Sequence, residues 1–278
     1  MRYDLGEILE IGEKRGCAIP AFNVYNLETM LGVMNAAEET GAPVIFQMYS
    51  RLFDNQEARY MAPTILQAIE DLKTPAAFHL DHGAGKKEVI RALRYGATGV
   101  MIDASTQPLE ENIRSTKEVV ELADSAGVSI EGELGHIGMA KDGVGNEFTK
   151  AEDAERYVKE TGVRALAIMV GTAHGHYKKA PELAIDRIRE IHETVPAALV
   201  LHGGSGVPDD QIQAAVKAGI RKINFGTEIR YKYVEHYKEA LEKLDHQGHS
   251  WKLSQYASDA LAEDIKKIIE LSGSAGTV

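Results

Sequence analysis

The chain has very little of several residue types, and each shortage excludes something. Only one of its 278 residues is a cysteine, Cys17, so no disulfide can form within the chain, and this suits a reducing compartment. No apolar run approaches the length of a membrane-spanning helix. The first seven residues are too polar for a secretory signal peptide. We therefore expect a cytoplasmic protein without a membrane partner.

Basic residues are also fewer than acidic ones. The sequence has 31 lysine and arginine residues against 42 aspartate and glutamate residues, and its formal net charge is -11 at pH 7. Such a chain is a poor partner for nucleic acid or for an anionic membrane surface. An anionic small molecule is still compatible with this charge, because basic side chains and backbone amides can dominate a local pocket.

Short apolar runs alternate with helical patterns along the whole chain. About eight such β–α units predict a parallel sheet covered by helices, and eight units without an additional strand favour a closed barrel. The 44% hydrophobic content is ample for a large core. We predict an α/β protein with one (β/α)8 TIM-barrel domain over residues 1–278, with extra helices near residues 5–14 and 258–271. The strands are predicted over residues 18–22, 43–46, 76–80, 99–102, 128–133, 165–169, 197–201 and 222–225.

Polar residues collect where these predicted strands end. In a barrel the carboxyl ends of the strands converge on one face, and active sites lie on that face. This convergence indicates an enzyme more strongly than any single motif does. The residues concerned are Asn23, Asp81, His82, Asp103, Glu133, His174, His202 and Asn224.

Three histidines of this set stand in or beside glycine-rich turns, namely His82, His174 and His202. Histidine is the commonest metal ligand among side chains, and three histidines with an open coordination position form a catalytic zinc arrangement. The sequence therefore predicts a metalloenzyme whose ligands come from three strand ends. His79 lies inside its strand and is expected in the core. His136 and His176 lie in loops and are weaker candidates.

Asp81 precedes His82 and points away from it if the segment is extended. A carboxylate beside a metal pocket suits general acid–base catalysis. The alternative is that it only orients a histidine. Geometry favours the catalytic role.

Two glycine-rich turns predict an anion site. Residues 203–206 precede a helix that begins near Asp209, and residues 224–227 lead into a helix that is predicted to begin near residue 228. Barrels often bind phosphate at the loops after strands seven and eight, and helix N-termini favour anions. Lys178, which follows Gly175, is placed to close over such an anion.

Together these motifs resemble those of the zinc-dependent class II ketose-bisphosphate aldolases, of the compact fructose- and tagatose-bisphosphate type. The resemblance covers residues 18–271, almost the whole chain. The motifs that carry it are Ala21-Phe22-Asn23-Val24, His79-Leu80-Asp81-His82, Glu131-Gly132-Glu133-Leu134-Gly135, Gly171-Thr172-Ala173-His174-Gly175, His202-Gly203-Gly204-Ser205-Gly206 and Asn224-Phe225-Gly226-Thr227-Glu228.

The resemblance implies reversible cleavage of a ketose 1-phosphate or 1,6-bisphosphate to dihydroxyacetone phosphate and an aldehyde, as in glycolysis and related carbohydrate metabolism. It implies that Asp81 moves the proton of the C4 hydroxyl and that Asn23 positions the enediolate. It implies Zn²⁺, Co²⁺ or another divalent metal that polarises the C2 carbonyl. The implied ligands are His82, His174 and His202, with Asp103 and Glu133 at alternative metal positions.

The resemblance also implies how the substrate is bound, with Na⁺ or K⁺ often near the phosphate. Arg230 matches an arginine that meets the distal phosphate across a subunit interface, which implies a homodimer or homotetramer. The other implied substrate-binding residues are Ser50, Gly175, Lys178, Gly203, Gly204, Ser205, Asn224, Gly226 and Thr227.

The sequence departs from the family pattern at three places. Lys141 stands where the family has a proton-carrying glutamate, so either Asp142 or Glu147 replaces that glutamate or the reaction differs. Tyr49, followed by Ser50 and Arg51, stands where a small hydroxyl residue is usual. Gly226 stands where fructose-type enzymes carry Asp and tagatose-type enzymes carry Ala. The dihydroxyacetone phosphate half therefore matches the family, whereas the aldehyde half is altered and suits a phosphate, sulfonate, carboxylate or neutral tail.

Three other interpretations remain open. A Schiff-base aldolase needs a desolvated lysine inside the barrel, and only Lys222 is a candidate. A metal-dependent hydrolase on the same barrel would use a metal-bound water, which the phosphate loops disfavour. A non-enzymatic subunit that stabilises an aldolase could lose its metal histidines, whereas all three are present here.

Overall fold

The computed structural model describes residues 1–143, 147–244 and 249–278. Eight parallel strands close into a barrel in which each pairs with the next and the eighth pairs with the first. The strands are β1 (Ile19–Asn23), β2 (Val44–Tyr49), β3 (Ala76–Gly83), β4 (Gly99–Ile102), β5 (Ser129–Leu134), β6 (Ala165–Ile168), β7 (Ala198–Leu201) and β8 (Ile220–Phe225).

Helices cover the outside of this barrel and close one of its ends. Two short 3-10 turns, Ser50–Asp54 and Ala140–Asp142, lie in loops on the other side. The helices are α1 (Leu5–Arg15), α2 (Leu27–Thr40), α3 (Gln56–Asp71), α4 (Lys86–Arg94), α5 (Leu109–Asp124), α6 (Ala151–Thr161), α7 (Ile185–Thr194), α8 (Asp209–Ala218), α9 (Thr227–Lys243) and α10 (Ser250–Leu271).

The predicted TIM barrel with additional N- and C-terminal helices is confirmed, and the differences concern boundaries. α10 begins at Ser250 instead of residue 258. The apolar periodicity that predicts α3 starts near residue 60, whereas the helix begins at Gln56. The first turns of both helices are largely exposed, so they carry little of that periodicity. The glycine-rich run over residues 135–145 predicts a loop after β5, and positions 144 and 145 of that run lie outside the described residues.

Helix α1 closes the amino-terminal end of the barrel. Asp4 caps it with a capping box, and its Leu5, Ile8 and Leu9 are buried against small residues that point inward from the strands, such as Ala77. Each such side chain contributes roughly 1.5–3 kcal/mol by burial. Because this end is filled with apolar side chains, the opposite carboxyl end is the one available for a site.

No helix in the described ranges has both the length and the apolar composition that a membrane span requires.

Candidate active site

A cavity of about 770 Å³ opens at the carboxyl end of the barrel, where active sites of this fold lie. Two residues predicted from the sequence, His202 and Glu133, are fully buried and do not line it. The predicted residues that do line it are Asn23, Asp81, His82, Asp103, His174, Gly175, Gly203, Ser205, Asn224, Gly226, Thr227 and Arg230.

Asp81 and His82 both reach this cavity although they are adjacent in the chain. Strand β3 continues through both, and its pairing with β4 shifts register between Leu80 and Gly83. His82 has a φ of 52°, the only positive φ at a non-glycine residue in the described part of the chain. The expectation that Asp81 points away from His82 is therefore wrong, because the strand is not regularly extended at this point.

The three predicted metal-ligand histidines lie together. The ring centroids of His82 and His174, and those of His82 and His202, are 4.8 Å apart, and those of His174 and His202 are 5.7 Å apart. One nitrogen from each ring lies within 4.8 Å of the others. The backbone around His174 is fixed by pairing with the loop, since its N–H donates to Gly138 O at 2.9 Å and its carbonyl accepts from Ala140 N at 2.8 Å.

Hydrogen bonds fix which nitrogens of the cluster are available to a cation. His82 Nδ1 lies 3.0 Å from Asp103 Oδ2, and His202 Nε2 lies 2.7 Å from Glu131 Oε1. Carboxylates only accept, so these two nitrogens carry the protons of the neutral rings. The lone pairs of His82 Nε2 and His202 Nδ1 then face each other at 3.1 Å. His174 Nε2 is buried without a hydrogen-bond partner in the described structure. A divalent cation that accepts all three lone pairs fits this donor set.

The charges around the cluster shift its pKa values in opposite directions. Burial, together with the charges of the neighbouring His82 and His202, lowers the pKa of His174 to about 3. At His82 burial also lowers the pKa, but Asp81, the hydrogen bond to Asp103 and the charge of Glu133 outweigh it and raise the value to about 9. In the absence of a cation, a proton on His82 therefore relieves the repulsion between the facing nitrogens.

Asp81 is held by two amide groups and lines the cavity next to the histidines. Its Oδ2 accepts from Asn23 Nδ2 at 2.7 Å, and its Oδ1 accepts from Asn224 Nδ2 at 3.3 Å. Gln47 in turn donates to Asn23 Oδ1 at 2.9 Å. Burial raises the pKa of Asp81, but the charges of His82 and His202 and the bond from Asn23 outweigh it, so the pKa is lowered. Asp81 is thus an oriented, ionised carboxylate, which is what a general base requires.

Asp103 and Glu133 form a second group with His82, close enough to hold a metal. Asp103 accepts from Ser105 and from His82, and these contacts outweigh burial and lower its pKa. Glu133 is fully buried, and burial raises its pKa to about 8. The two residues are therefore close enough to His82 to hold a metal together with it, and their role as alternative ligands stays a prediction.

The glycine-rich turns after β7 and β8 form another wall of the cavity. Gly203 has a φ of 69°, and a Cβ there would lie 2.4 Å from Ala173 O, so only glycine fits. Ser205 Oγ accepts from the backbone of Glu228 at 3.1 Å and so joins the turn to the first turn of α9. Gly204 is buried behind the wall, and Lys178 is exposed and does not line the cavity.

Two arginines also line the cavity. Arg51 lies over the Tyr49 ring at 5.3 Å, and Arg230 lies over the Tyr231 ring at 5.1 Å. Both line the cavity of their own chain, and neither guanidinium has a carboxylate oxygen within 4 Å among the described side chains. Ser50, predicted to bind substrate, does not line the cavity.

The residues considered as replacements for the family's loop glutamate do not meet the cavity where they are described. Lys141 and Glu147 are exposed and do not line it. The side chain of Asp142 lies outside the described part. His136 does line the cavity, and its Nδ1 lies 3.2 Å from Ser105 Oγ.

Sequence reasoning missed two residues of this site. Tyr25 lines the cavity, and its OH donates to Gly226 O at 3.3 Å. Gln47 lies in β2 in register with Asn23 of β1 and with His79 of β3. The available signal for Gln47 was a single amide inside an otherwise apolar run, which indicates an inward-facing polar contact.

Lys222 is badly placed for the Schiff-base mechanism. It is fully buried, lies 2.8 Å from Glu131 Oε2 and donates to Asn224 Oδ1 at 2.6 Å. It does not line the cavity, and no other lysine does so among the described residues. A Schiff-base lysine must present a free amine to the substrate, which this arrangement does not provide.

Comparison with known proteins identifies the family. Residues 3–277 match the model of the class II fructose-bisphosphate aldolases. A sulfofructosephosphate aldolase from Alkalicoccus urumqiensis is 35% identical over 280 residues, which cover 99% of this chain and 98% of that protein. The solved structure of the YdjI aldolase from Escherichia coli K12 is 31% identical, with a TM-score of 0.88 and 99% of each chain covered.

A more distant structure agrees in fold. The fructose-bisphosphate aldolase of Campylobacter jejuni is 21% identical, with a TM-score of 0.85 over 100% of this chain and 97% of that one. The family match and the named relatives exclude the hydrolase and non-enzymatic interpretations. The chain therefore belongs to the class II fructose-bisphosphate aldolase family and is an aldolase, a carbon–carbon lyase.

Proposed function

We propose that this aldolase is metal-dependent and cleaves a ketose 1-phosphate with an anionic distal group into dihydroxyacetone phosphate and an aldehyde. The observation that carries the proposal is the set of groups that line one cavity. The glycine turns, the histidines with Asp81, and two arginines all contribute to its lining. A ketose with an anion at each end would use all three kinds of group.

His82, His174 and His202 would hold the metal, since each presents a ring nitrogen to the others. A divalent metal there supplies Lewis-acid polarisation of the ketose carbonyl. Asp103 and Glu133 are alternative ligands, with His82 shared between the two groups. The bonds to Asp103 and Glu131 keep the outer nitrogens of His82 and His202 protonated, so that their inner nitrogens stay free to bind.

Asp81 would accept the proton of the C4 hydroxyl during cleavage and return it during condensation. Its two oxygens are fixed by Asn23 and Asn224, so the lone pair that faces the cavity has a defined direction. Asn23 would also position the enediolate. Positioning of this kind accounts for a large part of catalysis, because the reacting groups lose no further freedom in the transition state.

The phosphate at C1 would bind between Gly203, Ser205, Gly175 and Thr227, all of which line the cavity. Helix α9 begins at Thr227, and the positive end of its dipole favours an anion even though the Glu228 N–H already donates to Ser205 Oγ. Asn224 and Gly226 complete this wall. Lys178 lies outside the wall and would contribute long-range charge only.

The distal group would meet Arg51 and Arg230. Two guanidiniums without carboxylate partners among the described side chains favour an anion, and the planar fork suits sulfonate, phosphate or carboxylate alike. A relative at 35% identity is named a sulfofructosephosphate aldolase. A sulfonated ketose 1-phosphate is therefore the first substrate to test, ahead of fructose 1,6-bisphosphate.

The test compares tailed and tailless ketose 1-phosphates with the zinc-loaded protein and measures the release of dihydroxyacetone phosphate. Arg230→Ala should lower kcat/KM at least ~10-fold for tailed substrates, since a charge-assisted hydrogen bond contributes about 1.5–3 kcal/mol, and should spare tailless ones. Arg114→Ala, at an exposed arginine of α5, is the control. Equal losses on both substrate types would refute tail recognition, and fructose 1,6-bisphosphate as the best substrate would refute the altered specificity.

We further propose a homodimer or homotetramer in the cytoplasm. Exposed Tyr231 and Val234 lie one turn apart on α9, next to Arg230, and supply apolar surface for a subunit contact. Light scattering on the purified protein tests this, and a monomer at all concentrations would refute it.

A further inference from the structure

Three titratable side chains lie inside the barrel next to the site, and one of them, Glu131, contacts a candidate metal ligand. Glu131, Lys222 and His79 are each 0% exposed and do not line the cavity. Removing a carboxylate and an ammonium from water is costly, and apolar side chains of similar volume often fill such a space with no loss of stability. The pair therefore calls for a role other than stability.

The contacts of this group lead to two functional residues. Glu131 Oε1 is 2.7 Å from His202 Nε2, and Glu131 Oε2 is 2.8 Å from Lys222 Nζ and 3.4 Å from His79 Nε2. Lys222 Nζ also donates to Asn224 Oδ1 at 2.6 Å. Glu131 thus contacts a candidate metal ligand, and Lys222 contacts an amide that holds Asp81.

Each contact permits only one arrangement of the group it meets. The carboxylate of Glu131 can only accept, so His202 Nε2 carries a proton and Nδ1 presents its lone pair to His82 and His174. The ammonium of Lys222 can only donate, so the Asn224 oxygen faces Lys222 and its NH₂ faces Asp81 Oδ1 at 3.3 Å. A flipped Asn224 amide would turn its oxygen toward the Asp81 carboxylate. The same NH₂ lies 3.2 Å from His202 Nε2 and packs against it without a hydrogen bond, because that nitrogen donates to Glu131.

We propose that Glu131 and Lys222 are a positioning pair that acts through two different residues. Glu131 sets the tautomer and ring orientation of His202, and Lys222 sets the amide orientation of Asn224 and thereby the direction of Asp81. The ion pair between them supplies the charge balance that lets both groups stay buried. The inference rests on the proposed metal-dependent function, and it assigns two residues that touch neither metal nor substrate.

Two double variants, each of which replaces both charged side chains by neutral ones, distinguish the role of Glu131 from that of Lys222. Glu131→Gln with Lys222→Met leaves an amide oxygen that can still accept from His202, but removes the donor to Asn224. Glu131→Leu with Lys222→Met removes both contacts. Neither variant leaves a lone buried charge of this pair. Neither therefore carries the destabilisation that an unpaired charge inside the barrel would cause. The control is Glu13→Gln with Arg221→Met, which removes an ion pair of 2.8 Å made by the residue next to Lys222 on β8.

Three readouts decide the outcome: Zn²⁺ affinity by competition with a chelating dye, the visible spectrum of bound Co²⁺, and kcat with KM for dihydroxyacetone phosphate release. The variant with Glu131→Gln and Lys222→Met should keep its Zn²⁺ affinity within ~3-fold of wild type. Its kcat should fall by ~10²-fold, because the general base Asp81 is no longer correctly directed. The variant with Glu131→Leu and Lys222→Met should also lose Zn²⁺ affinity, by ~10–100-fold, and its bound Co²⁺ should have an altered visible spectrum. The control should match wild type in all three.

Other results would overturn the proposal. If both variants retain wild-type kcat and Zn²⁺ affinity, the pair positions nothing. If either loses its cooperative melting transition, the pair is a structural element and the assignment is wrong. A failure of the proposed metal-dependent function would be seen in the wild-type protein instead of the variants. Wild type would then bind no metal at the histidines or release no dihydroxyacetone phosphate.

Discussion

Gly226→Ala provides a severe test of the site geometry. A Cβ at this position would lie 2.7 Å from Asn23 Oδ1, 3.3 Å from Asn23 Cγ and 3.4 Å from the Tyr25 hydroxyl. The backbone of Gly226 has a φ of -116°, which alanine adopts without strain. The effect of the substitution therefore comes from the added methyl group alone.

The magnitude follows from how firmly Asn23 is held. An ordinary contact begins at 3.4 Å, so the amide must move by about 3.4 − 2.7 = 0.7 Å. Asn23 donates to Asp81 at 2.7 Å and accepts from Gln47 at 2.9 Å, and a shift of that size strains or breaks one of these bonds. A misplacement near 1 Å lowers turnover by up to ~10²-fold. We expect kcat to fall ~10–100-fold, and the free energy of unfolding to fall by about 1–3 kcal/mol, because the methyl group is forced against Asn23.

Steady-state release of dihydroxyacetone phosphate measures this, and Gly138→Ala is the matched control. Gly138 also lines the cavity, but a Cβ there meets nothing closer than His136 Nε2 at 3.9 Å. The control should keep wild-type kcat. Wild-type turnover by Gly226→Ala would show that Asn23 does not direct Asp81. An equal loss in both variants would show that any added methyl group in the cavity is harmful.

Two further predictions concern the ligands and the base. Asp81→Ala should lower kcat by ~10²-fold or more while Zn²⁺ stays bound, as for a lost general base; a metal-loaded variant with near-normal turnover would mean that Asp81 only orients a ligand. In metal-free protein, the pKa of His82 is raised from 6.5 to about 9. Its protonated form therefore contributes stability that is complete below pH 6.5 and is lost as the pH rises through 9. The Tm difference between metal-free wild type and His82→Ala should shrink over that interval, and a constant difference would contradict it.

The barrel and the clustering of three histidines were predictable because both depend on patterns that are local in sequence. Apolar runs alternating with helical segments specify the parallel sheet, and the closed order of eight strands follows from their number. His202 follows directly on β7 and His174 lies in the loop after β6, so the convergence of strand ends brings them together. The same rule led to Asp103 and Asn224.

The remaining residues of the site depend on strand register, which the sequence does not state. Gln47 and His79 share a level of the barrel because β2 and β3 pair at these residues. Lys222 meets Glu131 across the barrel interior, far from it in the chain. Lys178 and Ser50 were expected to bind substrate from the family resemblance, yet neither lines the cavity.

The irregular end of β3 explains how one short motif brings both a candidate metal ligand and a candidate base to the cavity. In a regular strand, Asp81 and His82 would face opposite sides of the sheet, and only one could reach the cavity. The register shift before Gly83 and the φ of 52° at His82 place both there. A left-handed non-glycine backbone costs about 1–3 kcal/mol and persists only where its surroundings fix it. The surroundings here are the bond from His82 to Asp103 and the two amides on Asp81, so the strain and the acid–base geometry are maintained by the same contacts.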